Sequence, residues 1–337
     1  MKHQINRSIC GLLTLALFLS VATQTIAQGQ GGRGGRGGLY GDWKISYQFG
    51  ERTMQSILAF SRDSEGNQTG AWISFFGSSE LKDLSFENNQ LQFTQTRQGR
   101  NGETTSKFTG SIEEGKLTGT LKSEQGNSKI TGERTPRTSR ASGSWAMKIK
   151  AGEREYTGTL NLKSDTSGDL TGEWTSQRGT AKVDAITYSR EELAFKRTIK
   201  TEDNEWVMAF TGNISGNTLT GVAKSERGEA EVTGEKVGGA AIGTWNLEIT
   251  SERGPRNQRL RVNSNLSGLY GSTAVEKISL DGNKVSFVST VKFGDREFTS
   301  DFKGTIDGDS LTGEITSGQG NRKVTGKKVV RNFRRTR

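Results

Sequence analysis

Carboxylates are the side chains with which most of this chain could do acid–base chemistry. Its one histidine, His3, and its one cysteine, Cys10, both fall in an N-terminal stretch built like a cleavable leader. That stretch runs from basic MKHQINR through apolar ICGLLTLALFLSVAT to the small residues Thr25 and Ala27. Removal of residues 1–27 leaves no imidazole or thiolate for nucleophilic catalysis, no Cys/His zinc set and no disulfide. Two carboxylates can still hydrolyse a glycosidic bond. Glu133, Glu173, Glu235 and Glu314 each follow a glycine expected on the inner face of a strand, so each is expected to face solvent. Asp307 and Asp309 flank Gly308 in TIDGDS, but calcium takes six or more oxygens, and a tight turn explains the same letters. Gly32, Gly34 and Gly37 match G-x-G-x-x-G with no strand before them and no helix after, which excludes a dinucleotide site. The expectation is a non-enzyme without metal or cofactor, with a carboxylate-dependent glycosidase as the catalytic alternative.

Aromatic and basic residues offer recognition chemistry instead. Trp72, Trp174 and Tyr270 occupy matching places two residues after a recurring glycine, and Trp206 stands where the matching places hold Thr104 and Phe298. Inward aromatics are core residues first, so these four are candidate ligand contacts chiefly where the pattern breaks, at Trp206. The formal net charge is +10, yet the three repeated bodies described below cancel. The excess lies between and beyond them, in Arg33 and Arg36, in Arg137 and Arg140, and in Arg331, Arg334, Arg335 and Arg337. Such clusters hold polyanions through many weak, salt-sensitive contacts. For an exported chain the expected partners are an anionic polysaccharide, a phosphorylated lipid or another polyanion. The RGG tract has no aromatic to stack on a base, so specific nucleic-acid recognition is not expected.

The elements that must position these residues are written three times. FTGSIEEGKLTGTLKSEQGNSKITGER from Phe108, FTGNISGNTLTGVAKSERGEAEVTGEK from Phe210 and FKGTIDGDSLTGEITSGQGNRKVTGKK from Phe302 are one sentence with small changes. Each unit begins G-x-W: GDWKISY at Gly41, GSWAMKI at Gly143 and GTWNLEI at Gly243. The chain therefore divides into a leader (1–27), a Gly/Arg arm (28–40), repeats over 41–134, 143–236 and 243–328, linkers 135–142 and 237–242, and a basic tail (329–337). One interval separates Gly70 from Gly119 and Gly172 from Gly221, so each unit reads as a duplicated half.

Period-2 alternation runs through the mature chain and helical periodicity is absent. Trp43, Ile45 and Tyr47 share a face, as do Leu91 with Phe93 and Phe108 with Ile112, while Lys, Ser, Thr, Glu and Gln take the other. SGN at Gly216, DGN at Gly282 and DGD at Gly308 are hairpin turns. Glycine recurs at inward positions such as Gly110, Gly119 and Gly132, which suits a strand that coils sharply and makes room for a bulky neighbour, expected to be the Trp of the first strand. Apart from the leader, no stretch approaches the length of a membrane span.

These residues resemble the calycins, the lipocalin- and avidin-type barrels, whose G-x-W opens the first strand under a basic side chain from the last. The resemblance implies that Trp43 meets Arg134, Trp145 meets Lys236 and Trp245 meets Lys328 at the closed end of each barrel. The fold expected is all-β, three tandem antiparallel eight-stranded up-and-down barrels. The function expected is a secreted or periplasmic binding protein, with small-molecule carriage in a barrel as the alternative that the resemblance implies. Nothing in the chain specifies an oligomeric state.

Overall fold

The computed structural model describes residues 38–331 apart from 100–101, 137, 166, 201–203, 251–253, 295 and 330. The leader, most of the arm and the tail beyond Arg331 lie outside the described residues. All the regular structure among the described residues is strand.

The first repeat folds as β1 (Gly41–Phe49), β2 (Arg52–Arg62), β3 (Gln68–Ser74), β4 (Gly77–Glu87), β5 (Gln90–Gly99), β6 (Gly102–Glu113), β7 (Lys116–Ser123) and β8 (Gly126–Arg134). Each strand pairs with the next, and β1 also pairs with β8, which closes the barrel. The second repeat has the same plan: β9 (Gly143–Ala151), β10 (Arg154–Ser164), β11 (Leu170–Ser176), β12 (Gly179–Ser189), β13 (Glu192–Lys200), β14 (Glu205–Ser215), β15 (Thr218–Ser225) and β16 (Gly228–Lys236), closed by β16 on β9. Closure leaves neither barrel with a free edge.

The third repeat departs from the closed eight-stranded plan. It comprises β17 (Gly243–Ile249), β18 (Arg256–Val262), β19 (Gly268–Tyr270), β20 (Thr273–Val275), β21 (Ser279–Asp281), β22 (Lys284–Phe293), β23 (Arg296–Asp307), β24 (Ser310–Ser317) and β25 (Gly320–Val329). These form one nine-stranded sheet in the order β20-β19-β18-β17-β25-β24-β23-β22-β21. Its margins approach, with Cα atoms of β20 and β22 within 8 Å, but no ladder joins them. In the closed barrels one long strand, β4 or β12, carries a bulge at Asp83 or Ala185 (both φ 50) and continues. In the third repeat that strand breaks into β20 and β21. At the break Ile278 is buried and donates its backbone N–H to the Leu266 carbonyl at 2.7 Å, which draws the chain off the β22 edge. From Gly268 to Gly304 this repeat also has four residues fewer than the first has from Gly70 to Gly110.

Three facing pairs of inward glycines make room for phenylalanine and not for the first-strand tryptophan, while Gly132 makes room for Ile45 and Gly158 for Trp174. Gly110 opposes Gly119, Gly212 opposes Gly221 and Gly304 opposes Gly313 across the ladder. A Cβ on Gly119 would overlap the Phe108 ring, and one on Gly304 would lie 2.7 Å from that of Phe302. Each such ring stacks on a second Phe one strand back: Phe93 on Phe108 at 4.7 Å, Phe195 on Phe210 at 4.8 Å and Phe287 on Phe302 at 4.9 Å. The first-strand Trp sits lower, at the closed end.

Repeats one and three are joined along a dry face. Ile57, Ala59, Ala71 and Ile73 point out of the first barrel, are buried, and pack with Leu269 of β19. The tip of the β3–β4 hairpin reaches the open end of the third sheet. There Gln258 donates to the carbonyls of Ser74 (3.1 Å) and Phe75 (3.3 Å), and the Phe75 ring lies 6.2 Å from that of Phe298. The second barrel meets the third repeat by its closed end, where Gly143 abuts the Ser264 carbonyl and the Ser264 hydroxyl donates to Ser139 O at 3.1 Å.

Candidate functional site at the mouth of the second barrel

The closed ends are built alike. The Trp indole donates to the carbonyl four residues earlier at 2.8 Å in each repeat: Trp43 to Leu39, Trp145 to Ala141 and Trp245 to Ala241. The glycine two residues before each Trp has positive φ (132, 105 and 137 for Gly41, Gly143 and Gly243), a region L side chains avoid. Arg134 lies 4.8 Å from the Trp43 ring, Lys236 4.3 Å from Trp145 and Lys328 5.3 Å from Trp245. Arg134 also donates to Tyr40 O at 2.7 Å, Lys328 to Ala240 O at 2.8 Å, and Lys236 to Ser142 O at 2.8 Å and to Arg140 O. A partly desolvated cation over an indole contributes about 0.5–2 kcal/mol. Burial lowers the Lys236 amine to about 8.

The opposite ends differ. In barrel one, Trp72 is buried, with ring edges against Tyr47 at 5.3 Å and Phe93 at 6.5 Å. Tyr270 is buried 5.5 Å from Phe287 at the end that the Phe75 hairpin covers, and burial pushes its hydroxyl up. In the second barrel alternation along β13 points Leu193, Phe195, Arg197 and Ile199 inward, so a cation occupies an interior position. The Arg197 guanidinium lies 4.5 Å from the ring of buried Trp174, and its Nε is buried without a hydrogen-bond partner among the described residues. Burial first, and the charge of Arg178 second, lower it to about 10. Above it, Arg227 of the β15–β16 turn stacks 3.7 Å over the half-buried Trp206, and Tyr156 of β10 is 44% exposed. At the places matching Arg197, Arg178, Trp206 and Arg227, barrel one has Gln95, Phe76, Thr104 and Gln125. Trp174 on β11 and Trp206 on β14 thus belong to the same barrel, each beside its own arginine, whereas Trp72 and Tyr270 lie in separate cores.

Of the predicted polyanion contacts, Arg33, Arg36, Arg137, Arg334, Arg335 and Arg337 lie outside the described residues. Arg140 is exposed and lies 3.6 Å from Glu191. Arg331 is not available as a polyanion contact: it is 9% exposed and donates to Asp42 Oδ1 at 2.6 Å, while Arg261 Nη1 reaches Asp42 Oδ2 at 2.5 Å. Burial raises the Asp42 carboxyl, and Arg331 and Arg261 more than offset this, holding it below its ordinary range. Glu133, Glu173, Glu235 and Glu314 face solvent. A groove of about 620 Å³ runs along the open flank of the third sheet, lined by Glu276, Lys277, Val288 and Asp301 among others. No described helix is long and apolar enough to cross a membrane.

Residues missed from sequence carried a signal. Arg178, Arg197 and Arg227 belong to the one unit with an extra Trp, and Arg197 breaks an apolar inward row. Ile57–Phe60 and Ala71–Ile73 are continuous apolar runs where the second repeat alternates, the mark of a strand covered on both faces.

No protein-family model matches the chain, and no curated protein matches it significantly. Among solved structures it is similar to a protein described as an outer membrane protein from Bacteroides fragilis (16% identity, 58% of this chain and 97% of that one, TM-score 0.23). It is also similar to a variant of transferrin-binding protein B from Haemophilus parasuis (10% identity, 87% and 76%, TM-score 0.19). A third is a protein of unknown function from Nostoc punctiforme (13% identity, 59% and 96%, TM-score 0.17). With identities and TM-scores this low, the likeness carries no argument about what the chain binds.

Proposed function

We propose that this chain is an exported, non-enzymatic binding protein of tandem barrels whose ligand end is the mouth of the second barrel. The observation that carries the reading is the Arg197–Trp174 stack inside that mouth, with a guanidinium donor unmet among the described residues and a second Arg–Trp pair at the rim. A buried donor without an acceptor is costly, and an arriving oxyanion supplies one. The other repeats support this by what they do with their own ends. The β3–β4 tip of the first is spent on the third, and the second barrel docks by its closed end, which leaves its mouth on the far side.

The ligand class is anionic: an anionic polysaccharide, a phosphorylated lipid or another polyanion, with the basic arm, linker and tail adding salt-sensitive attraction. Small-molecule carriage has one observation in its favour, the groove on the third sheet, but that lies outside any closed barrel.

The test is a glycan and lipid array probed with the mature chain, a Trp206→Ala variant, and a version lacking 28–37 and 332–337. Anionic hits lost in Trp206→Ala and only weakened by the truncation support the proposal. Hits that survive Trp206→Ala and vanish on truncation contradict it.

A further inference from the structure

We infer that the mouth of the second barrel recognises a carboxylate carried on a pyranose ring, the unit of an acidic saccharide. This rests on the mouth being the ligand end. A guanidinium presents Nε–H and Nη–H along one edge, a fork that matches the two oxygens of a carboxylate. Arg197 is held for that role by its contact with Trp174, 4.5 Å away, and its Nε has no acceptor among the described residues. Arg178, in the β11–β12 turn, lies near enough to add positive potential.

The rim supplies the surface for a ring. Trp206 is fixed under Arg227 at 3.7 Å, and Tyr156 exposes nearly half its surface beside the same opening. Aromatic faces pack against the C–H faces of sugars and need no hydrogen-bond partner of their own. One inward position deeper than Arg197, Phe195 and Phe210 fill the interior, so the carboxylate goes no further than Arg197 while the sugar ring stays at the rim.

Charge selects the anion. The second repeat has more acidic than basic residues, and Glu153, in the turn that leads into the strand of Tyr156, and Glu226, on the same turn as Arg227, stand exposed. Such a rim repels a dense polyphosphate and accepts isolated single charges spaced along a chain of rings.

The experiment titrates the mature chain with glucuronate, polygalacturonate, glucose and inorganic phosphate at constant ionic strength, by calorimetry and tryptophan fluorescence. Glucuronate and polygalacturonate should bind at least about tenfold more tightly than glucose or phosphate, and Arg197→Gln and Arg197→Lys should each remove about tenfold or more, since Lys lacks the fork. Arg178→Gln, on an exposed turn, should weaken binding severalfold with an unchanged melting curve, which separates lost charge from lost fold. Glucose or phosphate binding as well as glucuronate, Arg197→Gln binding as wild type, or no binding of either acid by wild type overturns the inference. If glucuronate fails while array ligands are still lost in Trp206→Ala, the carboxylate assignment falls and the mouth stands. If Trp206→Ala keeps every ligand, both fall.

Discussion

Arg331 donates to Asp42 across 289 positions of sequence, tying the residue just past the last strand of repeat three to the first strand of repeat one at 2.6 Å. Arg261 approaches the other carboxylate oxygen, so one aspartate unites two repeats. Removing one member of a buried pair leaves an uncompensated charge at a cost of about 3–5 kcal/mol. Asp42→Ala, which strands two arginines, should therefore lower stability by that order in urea unfolding, and Arg331→Ala by less because Arg261 remains. Equal, small effects from both would show the pair to be incidental.

The same carboxyl sets an acid limit. Its folded pKa lies below the ordinary 3.8, so its contribution is complete above that value and is lost as pH falls through the folded value. Wild-type stability should drop more steeply than that of Asp42→Asn below about pH 3.8. Parallel curves would remove Asp42 from the acid response.

Lys236 gives a slope of the same sign in a higher pH window. Its amine is lowered to about 8 from 10.5, so between those values the unfolded chain binds more protons and folding is favoured by rising pH. Wild type should gain stability relative to Lys236→Met from pH 8 to 10.5, and the Lys236 side-chain resonance should titrate near 8. A midpoint near 10.5 would mean that the amine is solvated.

A methyl group on an inward glycine should be resisted although its backbone is ordinary. At Gly119 the new Cβ would overlap the Phe108 ring and lie 2.6 Å from Thr109 O. Overpacking of this kind costs about 1–3 kcal/mol, and Gly119→Ala should show it, with partial relief from Phe108→Leu. No relief would place the conflict with the backbone alone.

Much of this architecture was legible in one chain because a meander uses local signals. Alternation, Gly-bearing turns and repeated G-x-W openings need no partner to be read. The unread features are those that depend on a neighbour. Inward glycine announces that something bulky lies over it, but only the register Gly110–Gly119 shows that it is Phe108. Arg331 looked like one of four solvated tail arginines because its partner Asp42 is a whole protein away. The open flank of the third sheet follows from Ile278 bonding to Leu266, a choice invisible in a strand pattern. At the site, Trp206 stood out by breaking the repeat, whereas Arg197 was hidden among thirteen basic residues of its unit until β13 placed it inward.

The six tryptophans provide the most direct test, because each reports from a different place. In indole N–H spectra of the mature chain titrated with an acidic saccharide, Trp174 and Trp206 should shift together, and Trp43, Trp72, Trp145 and Trp245 should stay fixed. Saturable binding that moves Trp72, moves a closed-end Trp, or leaves Trp174 and Trp206 unmoved would contradict a ligand end at the mouth of the second barrel.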